Sequence, residues 1–375
     1  MEKLFLYGSL AHIPLLETVL GHSLVPDQSV EAKLSDHAIC GGRGGLYPFI
    51  EPRKGAFAVG LLLSELTTDD RARLDFYEGG FDYDLRMLQV ETTTGPDMAQ
   101  VYFPAGSPGR GAPWDLRQWQ VEWGDLTVLA AKEAMEYFGQ ITADELARRF
   151  PAIRRRAASY LRGQADTRKP AAWSPRSRDD VLVKDSRMAY SNFYAMREYD
   201  IRFRQFDGQM SDVLDRASFI GFDVAIVLPY DPVLDRVLLV EQFRLGPFAR
   251  GAQYPWVLEP VAGHIDLGET PEQAARRETV EEAGLTLSEL IPIAQTYPSP
   301  GASSEYYHIY LGICDLAGHG GTNRGEVEEN EDIHSHILSF DELMQFVDSG
   351  EAKILPLVFA ANWLARNRDR LRRGA

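Results

Sequence analysis

The sequence is poor in cysteine and in long apolar runs. Among its 375 residues the only cysteines are Cys40 and Cys314. Two are too few for a disulfide framework or a cysteine-built metal site, and they are typical of a reducing cytoplasm. No apolar run approaches the roughly 20 residues of a membrane-spanning helix, and the N-terminus lacks the apolar stretch of a secretory signal. We therefore expect a cytoplasmic protein with no membrane span.

Positive charge is also scarce. The chain has 39 Lys+Arg against 55 Asp+Glu, which gives a formal net charge of −16. Extended contact with nucleic-acid polymers or with anionic membranes needs clustered Lys and Arg, so the composition disfavours both partners. A small anionic substrate held by a few local cations or by a metal ion remains compatible with this balance.

Length and composition predict two domains. At about 150 residues per domain, the chain has room for two or three hydrophobic cores. Residues 163–180 are polar, contain two prolines and show no helical or strand period, which is typical of a linker. We therefore predict domains at 1–165 and 181–375, joined by a linker at 166–180.

A basic stretch lies near the end of the first domain. Its members are Arg148, Arg149, Arg154, Arg155 and Arg156. Two short clusters on either side of a proline are more typical of solvated helix faces than of a nucleic-acid patch. We therefore expect these arginines to face solvent.

The most informative segment is GHIDLGETPEQAARRETVEEAGL at residues 263–285. Thr270, Pro271 and Gln273 predict the capped start of a helix, and Gly284 predicts its end. Within these limits, acidic residues recur at spacings of three and four residues and therefore share one face.

The acidic face is unusual because no lysine interrupts it. Its glutamates are Glu278, Glu281 and Glu282. Like charges at this spacing destabilise a helix, although a solvent-exposed acidic helix remains the simplest interpretation of three glutamates alone. A hard divalent cation would relieve the repulsion, because Mg²⁺ takes oxygen ligands and is commonly shared with substrate phosphates.

The fixed positions of this segment match the Nudix box, so the segment resembles Nudix hydrolases. The matching residues are Gly263, Glu269, Arg277, Glu278, Glu281, Glu282, Gly284 and Leu285. The resemblance implies hydrolysis of a nucleoside diphosphate linked to another group. It implies Mg²⁺, or Mn²⁺, held by Glu278, Glu281 and Glu282, which neutralises the diphosphate and activates water. It also implies that Arg277 pairs with Glu269 to fix the loop and helix. Thr279 departs from the pattern, because the family prefers an aliphatic residue there.

The flanks of the box resemble the ADP-ribose pyrophosphatases within this family, over residues 180–370. The segments that carry the resemblance are LPYDP, VEQFR, YPWVLEPVAG, SPGASSE and ENEDI. The resemblance implies two further metal ligands, the main-chain carbonyl of Ala262 and the side chain of Glu331. It implies that Glu329, on a mobile loop, deprotonates the attacking water, with Glu331 as the alternative base. The implied products are AMP and ribose 5-phosphate.

The same resemblance implies the substrate contacts. Arg216 and Arg244 match arginines that bind the diphosphate, and a guanidinium suits this task because it donates two parallel hydrogen bonds. Phe193 or Tyr194 matches the aromatic residue that stacks on adenine. Glu305 lies in the loop that borders the terminal ribose.

Residues 1–125 resemble the γ-glutamylcyclotransferase-like, or AIG2-like, fold. The segments LFLYGSL, LYP and LDFYEGGFDYDLRMLQVET carry this resemblance. It implies that the loop Tyr7, Gly8, Ser9 and Leu10 offers main-chain N–H groups to a γ-glutamyl carboxylate, and that Glu78 shuttles the proton. Such a carboxylate needs a pKa raised by partial burial. A module that only binds or only supports the structure remains the alternative.

As a whole, the chain resembles bacterial proteins of the tellurite-resistance TrgB type. We expect a mixed α+β and α/β protein: an N-terminal γ-glutamylcyclotransferase-like β-barrel and a C-terminal Nudix α/β/α sandwich. The resemblance also implies a homodimer that exchanges strands at about 181–209. Three functions stay open: hydrolysis of ADP-ribose, hydrolysis of another ADP-sugar or dinucleotide, and binding of ADP-ribose by a sensor or scaffold without turnover.

Overall fold

The computed structural model describes most of the chain. The described residues are 3–42, 47–81, 83–105, 111–168, 171–172, 176–325 and 331–374. They form two compact units, residues 1–169 and 170–375, and each is presented by itself. In the described ranges, no helix is long and apolar enough to cross a bilayer.

The first unit is built on a closed barrel. Its strands are β1 (Leu4–Leu6), β2 (Ser29–Gly41), β3 (Pro48–Leu63), β4 (Tyr83–Thr92), β5 (Gly95–Pro104) and β6 (Ala112–Pro113). The hydrogen-bonded order is β3-β1-β5-β4-β2, and β2 also pairs with β3, which closes five strands into a ring. Because β1 is antiparallel to β3 and parallel to β5, the barrel is mixed. Apolar side chains such as Phe5, Leu34 and Val101 fill it, and the predicted barrel fold is confirmed.

Five helices accompany the barrel. They are α1 (Ile13–Leu20), α2 (Thr68–Glu78), α3 (Leu116–Trp119), α4 (Asp125–Met135) and α5 (Ala143–Ala165). A capping box starts α2, where Asp70 N donates to Thr67 Oγ1 and Thr67 N donates to Asp70 Oδ2. Short 3₁₀ turns at Ser9–Ala11 and Gly79–Phe81 follow β1 and α2.

Helix α5 buries part of the basic stretch. The side chains of Arg154 and Arg156 are only 5% and 3% exposed, whereas Arg148 is exposed. The prediction that the whole stretch faces solvent is therefore wrong for these two residues. The reason is tertiary packing: Arg156 faces α4, where its Nε and Nη2 donate to Glu133 at 3.1 and 2.5 Å.

The second unit contains two sheets. The smaller one is antiparallel and consists of β7 (Val181–Ser191), β8 (Ala195–Phe203) and β9 (Leu214–Ile220). The larger one has eight strands: β10 (Asp223–Asp231), β11 (Arg236–Phe243), β12 (Trp256–Glu259), β13 (Val261–His264), β14 (Glu289–Thr296), β15 (Tyr306–Ile313), β16 (Asn323–Arg324) and β17 (Ile333–Ser339). Its order is β14-β15-β10-β11-β17-β16, with β12 paired to β11 and β13 paired to β10.

Helices cover both faces of the larger sheet. They are α7 (Pro271–Ala283), α8 (Phe340–Asp348) and α9 (Leu355–Arg373), while the short α6 (Leu245–Ala249) follows β11 and buries no residue. Because neighbouring residues of a strand point to opposite faces, Val227 packs in a core with residues of α7, and Ile226 packs in a second core with residues of α8 and α9. The predicted α/β/α sandwich is confirmed.

Candidate active sites

Helix α7 positions the acidic residues of the second unit. Thr270 N donates to Gln273 Oε1 at 2.8 Å, and Gln273 N donates to Thr270 Oγ1 at 3.2 Å. This reciprocal pair fixes the first turn. The helix ends at Gly284, whose φ of 67° lies in the left-handed region that favours glycine. The ends of this helix therefore follow from local chemistry.

Arg277 ties the preceding loop to this helix. Its Nε and Nη2 donate to the two carboxylate oxygens of Glu269, both at 2.9 Å. Its Nη1 donates to Glu278 at 2.7 Å and to Glu281 at 2.8 Å, and Nη2 also reaches the carbonyl of His264 at 3.1 Å. A guanidinium with this many acceptors orients the acidic side chains before any ligand arrives.

Strand β13 leaves room for Glu278 because residue 263 is glycine. A Cβ at Gly263 would lie 1.9 Å from the Glu278 carboxyl group, far inside van der Waals contact. One residue earlier, Ala262 N donates to Glu282 Oε2 at 3.2 Å. The main chain of β13 and the carboxylates of α7 are therefore packed directly together.

The carboxylates share a buried, negatively charged region. Burial raises the pKa of Glu282 well above its ordinary value, and the charges of Glu278 and Glu331 raise it further. Burial also raises the pKa of Glu278 to about 7, and Glu281 and Glu331 contribute to the rise. The structure therefore brings Glu331 near the helix glutamates. Glu329, the predicted base, lies outside the described residues.

The donor chemistry of this cluster fits a hard divalent cation. All of its ligating atoms are carboxylate oxygens, which Mg²⁺ and Mn²⁺ accept, and a cation would offset their mutual repulsion. Within the described ranges, no three Asp, Glu, His or Cys side chains are already grouped to hold an ion. Arg277 instead holds one oxygen of Glu278 and one of Glu281, so metal binding requires these carboxylates to reorient.

Arg244 lies at the end of β11, beside the cluster. Its Nε donates to Glu259 Oε1 at 2.7 Å, and the charge of Glu282 acts on its pKa. Glu259 is 7% exposed, and burial raises its pKa although Arg244 opposes the rise. The sequence interpretation missed Glu259 as a residue that orients Arg244. Its signal was an acidic residue in the otherwise apolar segment YPWVLEPVAG.

Aromatic residues border the same site. The ring centroids of Phe193 and Tyr194 lie 4.9 Å apart, and that of Phe193 lies 5.8 Å from His264. Both aromatic side chains are about two-fifths exposed, at 44% and 41%. Burial raises the pKa of Tyr194, and the charges of Glu305 and Arg244 also act on it. Tyr194, Glu305 and Arg244 therefore surround one region next to the carboxylates.

Arg216 is not part of this group. It lies exposed on β9, and its Nη1 donates to the carbonyl of the adjacent Asp215 at 2.7 Å. In the described portion of the chain, it forms no hydrogen bond or ion pair with Arg244, Glu305 or the carboxylate cluster. The described contacts therefore connect Arg244, but not Arg216, with the carboxylate cluster.

A second candidate site lies in the first unit. A partly open cavity of about 60 Å³ lies where β1 ends, next to the end of α2 and the middle of α5. Its lining includes all five residues predicted for this site: Tyr7, Gly8, Ser9, Leu10 and Glu78. Gly8 is closely packed, since a Cβ there would lie 2.8 Å from Pro48 Cγ.

Glu78, the last residue of α2, carries the acidic chemistry of this cavity. Burial raises its pKa to about 7. Its charge acts on the pKa of four tyrosines that line the cavity with it: Tyr7, Tyr77, Tyr83 and Tyr102. In the part of the chain that the structure describes, Glu78 forms no hydrogen bond or ion pair. Near neutral pH it can therefore exchange a proton with a ligand.

Comparison with known proteins agrees with this division. Residues 222–358 match the family described as "NUDIX domain", and residues 4–121 match "Gamma-glutamyl cyclotransferase, AIG2-like". The "ADP-ribose pyrophosphatase" of Escherichia coli (strain K12) is 37% identical over 195 residues, which cover 52% of this chain and 92% of that protein. The protein of the same name from Haemophilus influenzae is 33% identical over 193 residues, 51% of this chain and 88% of that protein. A "GDP-mannose pyrophosphatase" of Escherichia coli (strain HS) is 27% identical over 188 residues, 49% and 94% of the two chains.

The similarity to the first of these proteins extends over almost its whole length at more than 30% identity. The match to the "NUDIX domain" family, residues 222–358, contains the capped helix, its glutamates and Arg277. The chain therefore belongs to the Nudix hydrolase family, and it carries an AIG2-like, γ-glutamylcyclotransferase-like domain in its N-terminal half.

Proposed function

We propose that the second unit hydrolyses ADP-sugars, and specifically the diphosphate of ADP-ribose, to give AMP and ribose 5-phosphate. The observation that carries the proposal is the position of Arg244 beside the buried Glu282. This places a diphosphate-binding guanidinium next to a carboxylate cluster suited to a divalent cation. Similarity to proteins named ADP-ribose pyrophosphatase supports the choice of substrate.

The proposed chemistry assigns a role to each group. Glu278, Glu281, Glu282, Glu331 and the carbonyl of Ala262 would hold Mg²⁺, or Mn²⁺ in its place. When bound, the cation neutralises the diphosphate and lowers the pKa of water. The water oxygen bonds to one phosphorus, the P–O bond to the bridging oxygen breaks, and Glu329 accepts the water proton.

Other residues would bind and orient the substrate. Arg244, held by Glu259, donates hydrogen bonds to the diphosphate. The exposed ring of Phe193, or that of Tyr194, stacks on adenine. Glu305 accepts hydrogen bonds from the terminal ribose. These roles fix the reacting phosphorus relative to the carboxylates, which is the main task in phosphoryl transfer.

A substrate panel tests the proposal against its two alternatives. ADP-ribose, ADP-glucose, diadenosine diphosphate and GDP-mannose are incubated with the full chain and Mg²⁺ or Mn²⁺, and the same panel is repeated with Glu282→Gln. Preferred hydrolysis of ADP-ribose supports the proposal. Preferred hydrolysis of another compound indicates the same chemistry on a different nucleoside diphosphate substrate. Tight ADP-ribose binding without any hydrolysis indicates a sensor or scaffold.

We also propose that the chain acts as a homodimer formed through β7–β9. Apolar side chains are exposed in these strands, among them Val181, Val183, Tyr190, Met196 and Phe203. A partner would cover this surface, and each copy would supply its Arg216 to the site of the other copy. Mixing Arg216→Ala with Glu282→Gln tests this: a site shared across a symmetric dimer regains about a quarter of the wild-type activity. If Arg216 acts within its own chain, mixing restores nothing.

The location and the biological setting also stay proposals. Both cysteines are buried free thiols, which supports the proposed reducing, cytoplasmic location. Cell fractionation tests the location. A growth comparison of tellurite tolerance with and without the gene tests the resemblance to tellurite-resistance proteins.

A second function, γ-glutamyl cyclotransfer, is supported by the cavity around Glu78. The free amine of a γ-glutamyl compound would attack its own γ-amide carbonyl carbon, and the amide C–N bond would break to give 5-oxoproline and a free amine. Glu78 would take the proton from the attacking nitrogen and give it to the leaving nitrogen. Release of 5-oxoproline by wild type and its loss in Glu78→Gln test this, and no release by wild type contradicts it.

A further inference from the structure

Helix α5 forms one wall of the N-terminal cavity. It packs against the turn after Glu78, where a Cβ on Gly80 would lie 2.5 Å from Ala147 Cβ and 2.6 Å from the carbonyl oxygen of Ala143. Only glycine permits so close an approach. The helix follows the segment that matches the AIG2-like family, residues 4–121, so the family match does not account for this wall.

The same face of α5 reaches the cavity. Phe150 and Arg154 follow Ala143 and Ala147 at spacings of three and four residues, which places all four side chains on one side of the helix. Phe150 and Arg154 both line the cavity with Glu78. The docking of α5 on Gly80 therefore determines that a guanidinium lies in this site.

The guanidinium of Arg154 is buried, and no acidic side chain among the described residues pairs with it. The residue is 5% exposed, and its Nε and Nη1 have no hydrogen-bond partner among the described residues. Its Cζ lies 4.2 Å from the ring centroid of Tyr47 and 4.7 Å from that of Phe150. Burial lowers its pKa to about 9. Aromatic faces offset part of the cost of burying a cation, but they provide no oxygen acceptor for the N–H groups.

Arg156 on the same helix shows the usual solution. It is as deeply buried, yet Glu133 accepts hydrogen bonds from its Nε and Nη2. Buried charges in proteins are normally paired in this way. Because Glu78 lines the same cavity and still does not pair with Arg154, the cavity holds an acid and a cation that are both available to a ligand.

We propose that Arg154 binds a carboxylate of the ligand that occupies the N-terminal cavity. A carboxylate offers two parallel acceptors to a guanidinium, and these would satisfy the N–H groups that the protein leaves unpaired. The ligand class is a small carboxylic acid, with its polar remainder next to Glu78, which lines the same cavity. The inference deepens the proposed cyclotransferase function, but it requires only binding and not turnover.

Calorimetric titration of the full chain with matched probes tests the proposal. The acidic probes are 5-oxoproline, the product of the proposed reaction, and glutarate, a dicarboxylate that the reaction does not release. The neutral probe is 5-oxoprolinamide, which has the same ring without the negative charge. The variants are Arg154→Met, which keeps much of the volume, Arg154→Lys, which keeps the charge, and the control Arg148→Met on the exposed side of α5.

The expected result is a loss of affinity for the acidic probes that exceeds any loss of affinity for the neutral amide. Wild type and Arg148→Met bind at least one acid more tightly than the amide, Arg154→Met weakens acid binding at least tenfold, and Arg154→Lys restores part of it. Acid binding that Arg154→Met leaves unchanged overturns the proposal, and so does a wild type that binds neither acid. If an acid binds with this selectivity while no γ-glutamyl compound yields 5-oxoproline, the carboxylate site stands and the cyclotransferase proposal fails.

Discussion

The two candidate sites use the same pair of side-chain types in opposite ways. In each, burial raises the pKa of a glutamate to about 7, Glu278 in the Nudix unit and Glu78 in the barrel unit. In each, a guanidinium lies at the site. Arg277 donates to three carboxylates and a carbonyl, whereas Arg154 has no acidic partner among the described residues.

The difference lies in how completely each guanidinium is paired within the described residues. The network of Arg277 is satisfied without a ligand, so it orients the carboxylates and keeps their repulsion from separating the loop and helix. In the barrel unit, Glu78 and Arg154 line one cavity, and neither forms a hydrogen bond or ion pair with a described residue. Such an arrangement costs folding free energy, and a ligand that pairs with both groups recovers that cost.

The largest expected effect is a loss of hydrolysis from a substitution in the Nudix site that leaves the barrel site unchanged. Glu282→Gln removes the charge of a buried carboxylate that faces the main chain of Ala262, and we expect the hydrolysis rate of ADP-ribose to fall roughly 10² to 10³-fold. A steady-state assay measures the change. The exposed Glu289→Gln in the same unit serves as the control. Residual activity close to that of the control would remove Glu282 from the reaction.

The next effect compares the two buried arginines of α5. Arg156→Met leaves Glu133 buried without its partner, so the free energy of unfolding should fall by about 3 kcal/mol. Arg154→Met removes a cation that has no such partner among the described residues, and its loss of aromatic contacts should cost about 2 kcal/mol at most. Denaturant unfolding of the full chain measures both. Equal losses would show that Arg154 has a structural role like that of Arg156.

Residue 263 provides a steric test of the Nudix site. A methyl group in Gly263→Ala would collide with the Glu278 carboxyl group, so we expect a loss of about 1–3 kcal/mol of unfolding free energy together with slower hydrolysis. The matched control is Gly246→Ala, whose added Cβ would meet no atom within 4 Å. Wild-type activity in Gly263→Ala would show that the carboxylate does not need its position against β13.

The sequence predicts these two regions with unequal success. The features of α7 depend on residues close together in sequence, whereas the cavity of the barrel unit depends on contacts between residues far apart in sequence. The ends of α7 and the acidic face follow from local capping and from a periodic spacing, and both could be predicted. The burial of Arg154 depends on the approach of α5 to Gly80, about 70 residues away, which no local pattern encodes. The pairing of Arg244 with Glu259 likewise depends on strand register. Clustered arginines are usually solvated, and that general rule led to the wrong prediction.

The last expected effect is the pH dependence that Glu78 contributes to the stability of the barrel unit. Burial raises the pKa of Glu78 from 4.5 to about 7 in the folded state, so the folded chain binds this proton more tightly than the unfolded chain does. The resulting stability is fully present below pH 4.5 and is lost as the pH rises through 7. Glu78→Gln removes this loss of stability because glutamine does not ionise. The variant should therefore gain about 3 kcal/mol relative to wild type between pH 4 and pH 8.

Hydrogen exchange of peptides from the barrel strands, followed in the full chain at pH 4, 6 and 8 and corrected for intrinsic exchange rates, measures this gain where it arises. The exposed Glu31→Gln on β2 should follow wild type at every pH. Adding 5-oxoproline should reduce the difference in stability between wild type and Glu78→Gln. The ionised carboxylate of Glu78 destabilises the folded wild type, and a ligand that binds the folded state offsets this destabilisation. Parallel pH profiles for wild type and Glu78→Gln would mean that Glu78 is solvated, and the contrast between the two sites would then rest on Arg154 alone.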